Sequence, residues 1–116
     1  MSRPSDDELA LHRTIDLTTL GRRSGRPSRI EIWWFYIDGS FFITGTPGPR
    51  DWYANVLADP NVTIHAGEHD LPATAQLVTD VETRSKVFDS ELTRWYSSQS
   101  QRQRLIDESP MVEIVF

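Results

Sequence analysis

"RIEIWWFYIDGSFFITG", residues 29–45, decides the fold. From Ser28 to Ile37, isoleucine, tryptophan, phenylalanine and tyrosine follow one another almost without interruption. These are the β-branched and aromatic types that fit a pleated surface. The pattern predicts one strand, with both faces covered over its "WWFY" half. Successive side chains of a strand point to opposite faces. Trp33 and Trp34 therefore diverge, one into the core and the other toward a pocket or a partner. Asp38-Gly39 is the strongest short hairpin signal in the chain. "SFFITG" is then the returning strand.

Working outward, Ile15, Leu17 and Thr19 alternate with Thr14, Asp16 and Thr18, a strand with one buried face. "GRRSGRP", residues 21–27, reads as a turn punctuated by glycine and proline. Residues 2–8 are polar, either a loose arm (1–11) or the start of a short helix ending near His12. On the other side, "TPGPRD" is a loop ending in Asp51, an N-cap for a helix "WYANVLA" that Asp59-Pro60 stops. "NVTIHA" and "LPATAQLVTD" are strands around a "GEHD" turn. Asp80 caps a second helix, "VETRSKVFDSELTRWY", whose Val81, Phe88, Leu92 and Trp95 share one core-facing side. "SSQSQRQRLIDES" is irregular or helical, and "PMVEIVF" alternates as a last strand. About six strands with two or three short helices between them predict an α+β barrel or sandwich, a single domain over 1–116. Strand and helix do not alternate as in a parallel sheet, and no G-x-G-x-x-G is present.

The 116 residues carry a formal net charge of -5, which argues weakly against nucleic acid as a partner. No cysteine is present, so disulfides and thiolate metal sites are excluded, and a reducing cytoplasm fits. No apolar run approaches the roughly 18 residues of a membrane span, and residues 1–13 lack the apolar stretch of a signal peptide. His12, His65 and His69 lack metal-site spacing, so no metal is expected. The "WWFY" strands carry more apolar surface than one small barrel can bury, which predicts a homodimer.

Against this acidic background, Arg22, Arg23, Arg26 and Arg29 gather four of the eleven arginines into eight positions around Gly21 and Gly25. Forked arginine donors, the Ser24 hydroxyl and glycine backbone N–H groups suit a phosphate or carboxylate ligand. The alternative is a solvated basic turn with no ligand. The G-K-[ST] ending of a P-loop is absent.

"LTTLGRRSGRP", an aromatic hairpin and "TGTPGPRDWYANVLADPNVTIH" together resemble the deazaflavin-dependent nitroreductase family, split β-barrels similar in fold to FMN-binding pyridoxamine-phosphate oxidases. Thr18, Thr19, Gly21, Arg22, Ser24 and Gly25 match the family's first motif. Trp52, Tyr53, Asn55, Ala58 and Pro60 match its second. The resemblance covers residues 13–80 and implies a six-stranded antiparallel split β-barrel that binds coenzyme F420, a deazaflavin with a ribitol, a phosphate and a polyglutamate tail. It implies cofactor contacts at Arg22, Arg23, Ser24 and Gly25, at Thr44, Gly45 and Thr46, and at Trp52 and Asn55. The loop departs from the family's frequent S-x-G-G: here it is "TGTPGP".

Reduced F420 would give hydride to a flat, electron-poor quinone, nitroaromatic or enone, in a pocket lined by Trp33, Trp34, Tyr36 or Tyr53. A tyrosine hydroxyl, of Tyr53 or Tyr96, is the candidate proton donor; packing is the alternative role for both. FMN is the alternative cofactor, although its single phosphate needs fewer arginines. A non-catalytic barrel that binds a cofactor or an apolar ligand is a further alternative.

Overall fold

The computed structural model describes residues 3–116. Seven antiparallel strands form one sheet: β1 Thr14–Leu20, β2 Pro27–Trp33, β3 Phe35–Ile37, β4 Ser40–Thr44, β5 Asn61–Ala66, β6 His69–Leu77 and β7 Met111–Val115. Their order is β2-β1-β5-β6-β7-β4-β3. The single strand expected over Ser28–Ile37 is two strands, so the count is seven and not six. The break falls at Trp34. Its backbone N–H donates to the Arg13 carbonyl, and its indole Nε1–H donates to the His12 carbonyl at 2.8 Å. Its ring stacks on Phe41 with centroids 4.2 Å apart. Before Trp34 the chain pairs with β1; after it, the chain pairs with β4. β2 and β3 stand at opposite ends of the strand order, so one residue joins the two edges and the sheet must curl. The expected barrel topology follows from that junction.

The β3–β4 hairpin turns through Asp38 (φ 50°) and Gly39 (φ 80°), the two left-handed positions that the Asp-Gly pair predicts. Phe41 and Ile43 point into the barrel, while Phe42 on the same strand points to an outer helical layer. Both faces of this hairpin are covered, as its unbroken apolar sequence requires.

Five short helices and one 3₁₀ turn are present among the described residues, more than the two or three expected. α1 spans Asp6–Ala10, begun by Ser5, whose hydroxyl accepts from Glu8 N–H, and it buries Leu9 in the barrel core. This is the helical one of the two readings for that stretch. α2 spans Asp51–Ala58. Its N-cap is Arg50 with no side-chain cap bond, so Asp51 lies in the first turn and does not cap. Asp80 does cap α3, Val81–Asp89, accepting from Thr83 N–H at 2.9 Å.

The helix expected to run on to Tyr96 breaks at Ser90, whose backbone is extended (ψ 145°). A 3₁₀ turn (Glu91–Thr93) and α4 (Arg94–Ser97) follow. The break takes Leu92 and Trp95 off the face of Phe88, and Val81 at the first position of α3 lies outside the packed part of the helix, so the predicted stripe does not hold. Phe88 is buried, whereas Val81, Leu92 and Trp95 are exposed. α5 spans Arg102–Glu108. Phe35, Phe42, Phe88, Tyr96, Leu105 and Met111 form the core of this outer layer. The buried Arg84 guanidinium holds the layer by donating to the carbonyls of Val78, Ile106 and Ser109. Burial lowers its pKa below the usual arginine range.

Candidate functional site

The arginine turn closes on its own backbone. Gly21 N–H donates to the Arg26 carbonyl at 2.8 Å, and Gly25 N–H to the Gly21 carbonyl at 2.8 Å. Gly25 sits at φ 69° in the left-handed region, where glycine carries no Cβ penalty. A Cβ on Gly21 would lie 2.5 Å from Ser24 Oγ and 3.0 Å from the Arg26 carbonyl oxygen. Ser24 Oγ accepts from Arg26 N–H at 3.1 Å, so this hydroxyl is already used in shaping the turn.

The four arginines do not form one cluster. Arg29 pairs with Asp16 across the β1–β2 ladder at 2.8 Å. Arg22 turns toward α2, donating from Nη1 to Asn55 Oδ1 at 2.8 Å and from Nη2 to Asp51 Oδ1 at 3.3 Å. Arg23 and Arg26 are exposed, and their guanidinium groups have no hydrogen-bond or ion-pair partner among the described residues.

Asn55 is buried and ties the two sequence motifs together. Its Oδ1 accepts from both the backbone N–H and the side chain of Arg22, and its Nδ2 donates to Thr19 Oγ1 at 3.0 Å. Asn55 therefore acts on the turn and not toward open space.

Beside α2 lies a cavity of about 350 Å³ lined by Ile32, Trp33, Gly45, Thr46, Arg50, Trp52 and Tyr96, among others. Its apolar walls come from β2, α2 and α4. Thr44 also borders it, but the buried Thr44 hydroxyl donates to the Pro110 carbonyl at 2.6 Å. Arg50 folds back over the 46–49 loop, donating to the carbonyls of Thr46, Gly48 and Pro49 and to Thr46 Oγ1. The "TGTPGP" departure is thus a loop laced to its own arginine.

Tyr96 is buried in an aromatic cluster with Trp33, Phe35, Phe88 and Trp95. Burial pushes its pKa up to about 12. Its hydroxyl has no hydrogen-bond partner among the described residues. Tyr53, the other expected proton donor, lines a different cavity with Gly48, Arg84 and Ser109. Trp34 is core and Trp33 is 45% exposed, which answers which of the pair faces outward. Trp33 and Trp95 pack edge to face at 5.7 Å and also line a larger, mostly apolar cavity of about 550 Å³ with Phe35, Tyr36 and Leu92.

Arg50 and Trp95 are absent from the sequence-derived site. The TGTPGPR loop gave a local signal for the first; the Ser90 break, which exposes the second, gave none. Away from this site Asp70, His65 and Thr18 form a hydrogen-bonded chain (2.6 and 2.7 Å) on the sheet surface. Hydrogen bonding to His65 holds the Asp70 carboxyl below its ordinary pKa. Among the described residues no group of three or more His, Asp or Glu side chains is placed to hold a metal.

The cavity and the turn meet at the start of α2: Arg50 and Trp52 face the cavity, and Asp51 between them reaches Arg22. The family pattern described as F420H(2)-dependent quinone reductase matches residues 7–114. The chain belongs to this family. The match takes in both motifs and also the helical layer beyond residue 80, which the sequence resemblance did not reach. No curated protein matches the chain.

Among solved structures, an F420-H2 dependent reductase is 24% identical, with a TM-score of 0.65 over 90% of this chain and 94% of that one. A conserved hypothetical protein of Mycobacterium tuberculosis is 21% identical, with a TM-score of 0.69 over 97% and 81%. A chain described as a domain-swapped dimer is 20% identical, with a TM-score of 0.65 over 88% and 79%. At these identities the likeness is one of fold. Among the described residues no helix is long and apolar enough to cross a membrane.

Proposed function

We propose that this member of the F420H(2)-dependent quinone reductase family is an oxidoreductase that binds F420 with its ring in the cavity beside α2 and its anionic tail at the 21–26 turn. The observation that carries the reading is the junction of an aromatic cavity with a turn holding two unpaired arginines, Arg23 and Arg26. The tryptophans Trp33 and Trp52 with the aliphatic Ile32 make an apolar lining that suits a planar heterocycle, and the guanidinium groups of Arg23 and Arg26, without partners among the described residues, suit phosphate or carboxylate oxygens. The residues present therefore fit the cofactor.

When bound, the reduced deazaflavin supplies hydride to an acceptor. The protein's own part is to orient and to hold a proton. Gly45 is buried and lies against Arg50, so a bulkier residue would press on the guanidinium that shapes the 46–49 loop. Tyr96 remains protonated at neutral pH and offers a hydrogen bond to an acceptor oxygen as negative charge develops there. Trp33 and Trp95 border both cavities, which suits a flat quinone, nitroaromatic or enone entering from the larger one. The same two tryptophans, 45% and 53% exposed, support a homodimer that covers them; a monomer by sedimentation at micromolar protein contradicts that assembly.

Fluorescence titration with F420 and with FMN tests the cofactor. Micromolar F420 binding, weakened by Arg23→Ala/Arg26→Ala and stronger than FMN binding, is the expected result. Oxidation of F420H2 by a quinone then tests the reaction. Preference for FMN would move the protein to the flavin-binding alternative, and binding of neither would remove the oxidoreductase reading.

A further inference from the structure

We propose that the Asp51 carboxylate is a built-in competitor for the ligand's anionic end, resting on Arg22 until phosphate or carboxylate groups reach the turn. The inference rests on the cofactor reading above. It starts from the two different arms of the Arg22 guanidinium. Nη1 is fixed on the buried Asn55 amide oxygen at 2.8 Å. Nη2 meets only Asp51 Oδ1, at 3.3 Å, and the Asp51 side chain is 92% exposed. The first contact is part of the fold. The second is an ion pair in water, of the kind that contributes little and exchanges readily.

As an acid in the first turn of α2, Asp51 also favours the helix dipole, but that role does not require its contact with Arg22. It does not cap α2, because Arg50 occupies that position and the helix has no side-chain cap. Its carboxylate has no described partner other than Arg22. Residues 17–30 contain no acid, and Asp51 is the one acid between Gly39 and Ala58. The other acid of the second motif, Asp59, accepts from the Asn61 backbone and side chain at the far end of α2, so Asp51 is the one motif carboxylate that rests on an arginine of the turn. Other charges nearby are committed elsewhere: Arg29 with Asp16, and Arg50 with the carbonyls of its own loop.

A phosphate or a pair of carboxylates offers Arg22 bidentate, more highly charged acceptors than one solvated carboxylate does. The ligand's tail displaces Asp51 and then feels its repulsion. Asp51 lowers affinity for any tailed ligand and leaves a tailless ring unaffected. Losing a charge thus improves binding, an effect that damage to the fold does not imitate.

The test is Asp51→Asn, with Asp51→Ser as a second variant in case the amide disturbs the helix start. Binding of F420 is followed by fluorescence at low and moderate salt, beside the deazaflavin–ribitol compound that lacks phosphate and glutamates. Both variants are expected to bind F420 about fivefold more tightly than wild type at low salt, from the scale of an exposed ion pair. The gain shrinks as salt screens it, and affinity for the tailless compound does not change. Equal or weaker F420 binding by variants that melt like wild type overturns the competitor role and leaves the cofactor reading intact. If wild type binds neither compound, the cofactor reading fails and the competitor role falls with it. An equal gain for both compounds would place the effect in the cavity and also overturn the proposal.

Discussion

Asn55→Ala removes the side chain that couples α2 to the arginine turn, and its cost follows from its bonds. Asn55 is 4% exposed and makes three hydrogen bonds: from Arg22 N–H at 3.2 Å, from Arg22 Nη1 at 2.8 Å, and to Thr19 Oγ1 at 3.0 Å. Two neutral bonds are worth about 1 kcal/mol each, and the charge-assisted one about 1.5–3 kcal/mol. The sum is partly offset, because the Arg22 side chain is 28% exposed and regains water. Thr19 gains none, since it is 3% exposed. The net loss is about 3 kcal/mol, or roughly 12 °C in Tm for a domain of this size.

Urea and thermal unfolding measure this loss directly. Asn55→Asp is the control: its carboxylate still accepts from Arg22, and the Thr19 hydroxyl can turn to donate, so most of the stability returns. A fall below about 3 °C for Asn55→Ala, or an equal fall for Asn55→Asp, would refute the view that this amide welds the turn to the helix.

The tryptophan pair separates packing from binding: Trp34→Ala, in the core, costs about 3–5 kcal/mol in urea unfolding, whereas Trp33→Ala stays within about 1 kcal/mol and weakens F420 binding. Gly21→Ala costs about 1–3 kcal/mol through the Cβ contacts with Ser24 Oγ and the Arg26 carbonyl. Adding Ser24→Ala recovers only part of that loss, because the carbonyl contact remains. Tyrosinate absorbance is expected to show one group ionising near pH 12, absent in Tyr96→Phe. Because the folded pKa is raised, its contribution to stability is complete below about pH 10 and is lost as pH climbs toward 12. The urea midpoint of Tyr96→Phe therefore falls less over that window.

What could be read from the sequence was what short-range chemistry determines. The Asp38-Gly39 turn needs two left-handed residues in a row, and only its immediate neighbours decide that. The Asp80 cap is equally local, since its acceptor and the Thr83 N–H are three residues apart. Asp51 looked the same and failed. The chain turns helical one residue earlier, behind Pro49 and an extended Arg50 whose side chain is held by loop carbonyls. The Trp34 break was invisible for a different reason. Residues 28–37 read as one strand because each half is strand-like; that the halves belong to opposite ends of a sheet depends on β1 and β4, which pair elsewhere.

The candidate site divides along the same line. Composition counted Arg22, Arg23, Arg26 and Arg29 as one basic cluster, since charge counting carries no information about partners. Asp16 takes Arg29 from the strand beside it, and Asn55, 33 residues further along, takes one arm of Arg22. Arg50, never counted, is spent on its own loop. The structural demands of a small barrel thus fall on the arginines nearest its elements and leave Arg23 and Arg26 at the outer part of the turn. A ligand with anionic groups along a tail suits that division: the fold fixes the inner arginine on α2 through Asn55, and the outer two are free of partners among the described residues. A compact monophosphate that reached only the cavity end would meet Arg22 already held by Asn55 and shadowed by Asp51. On this geometry, discrimination between tailed and untailed cofactors should reside at Arg23 and Arg26.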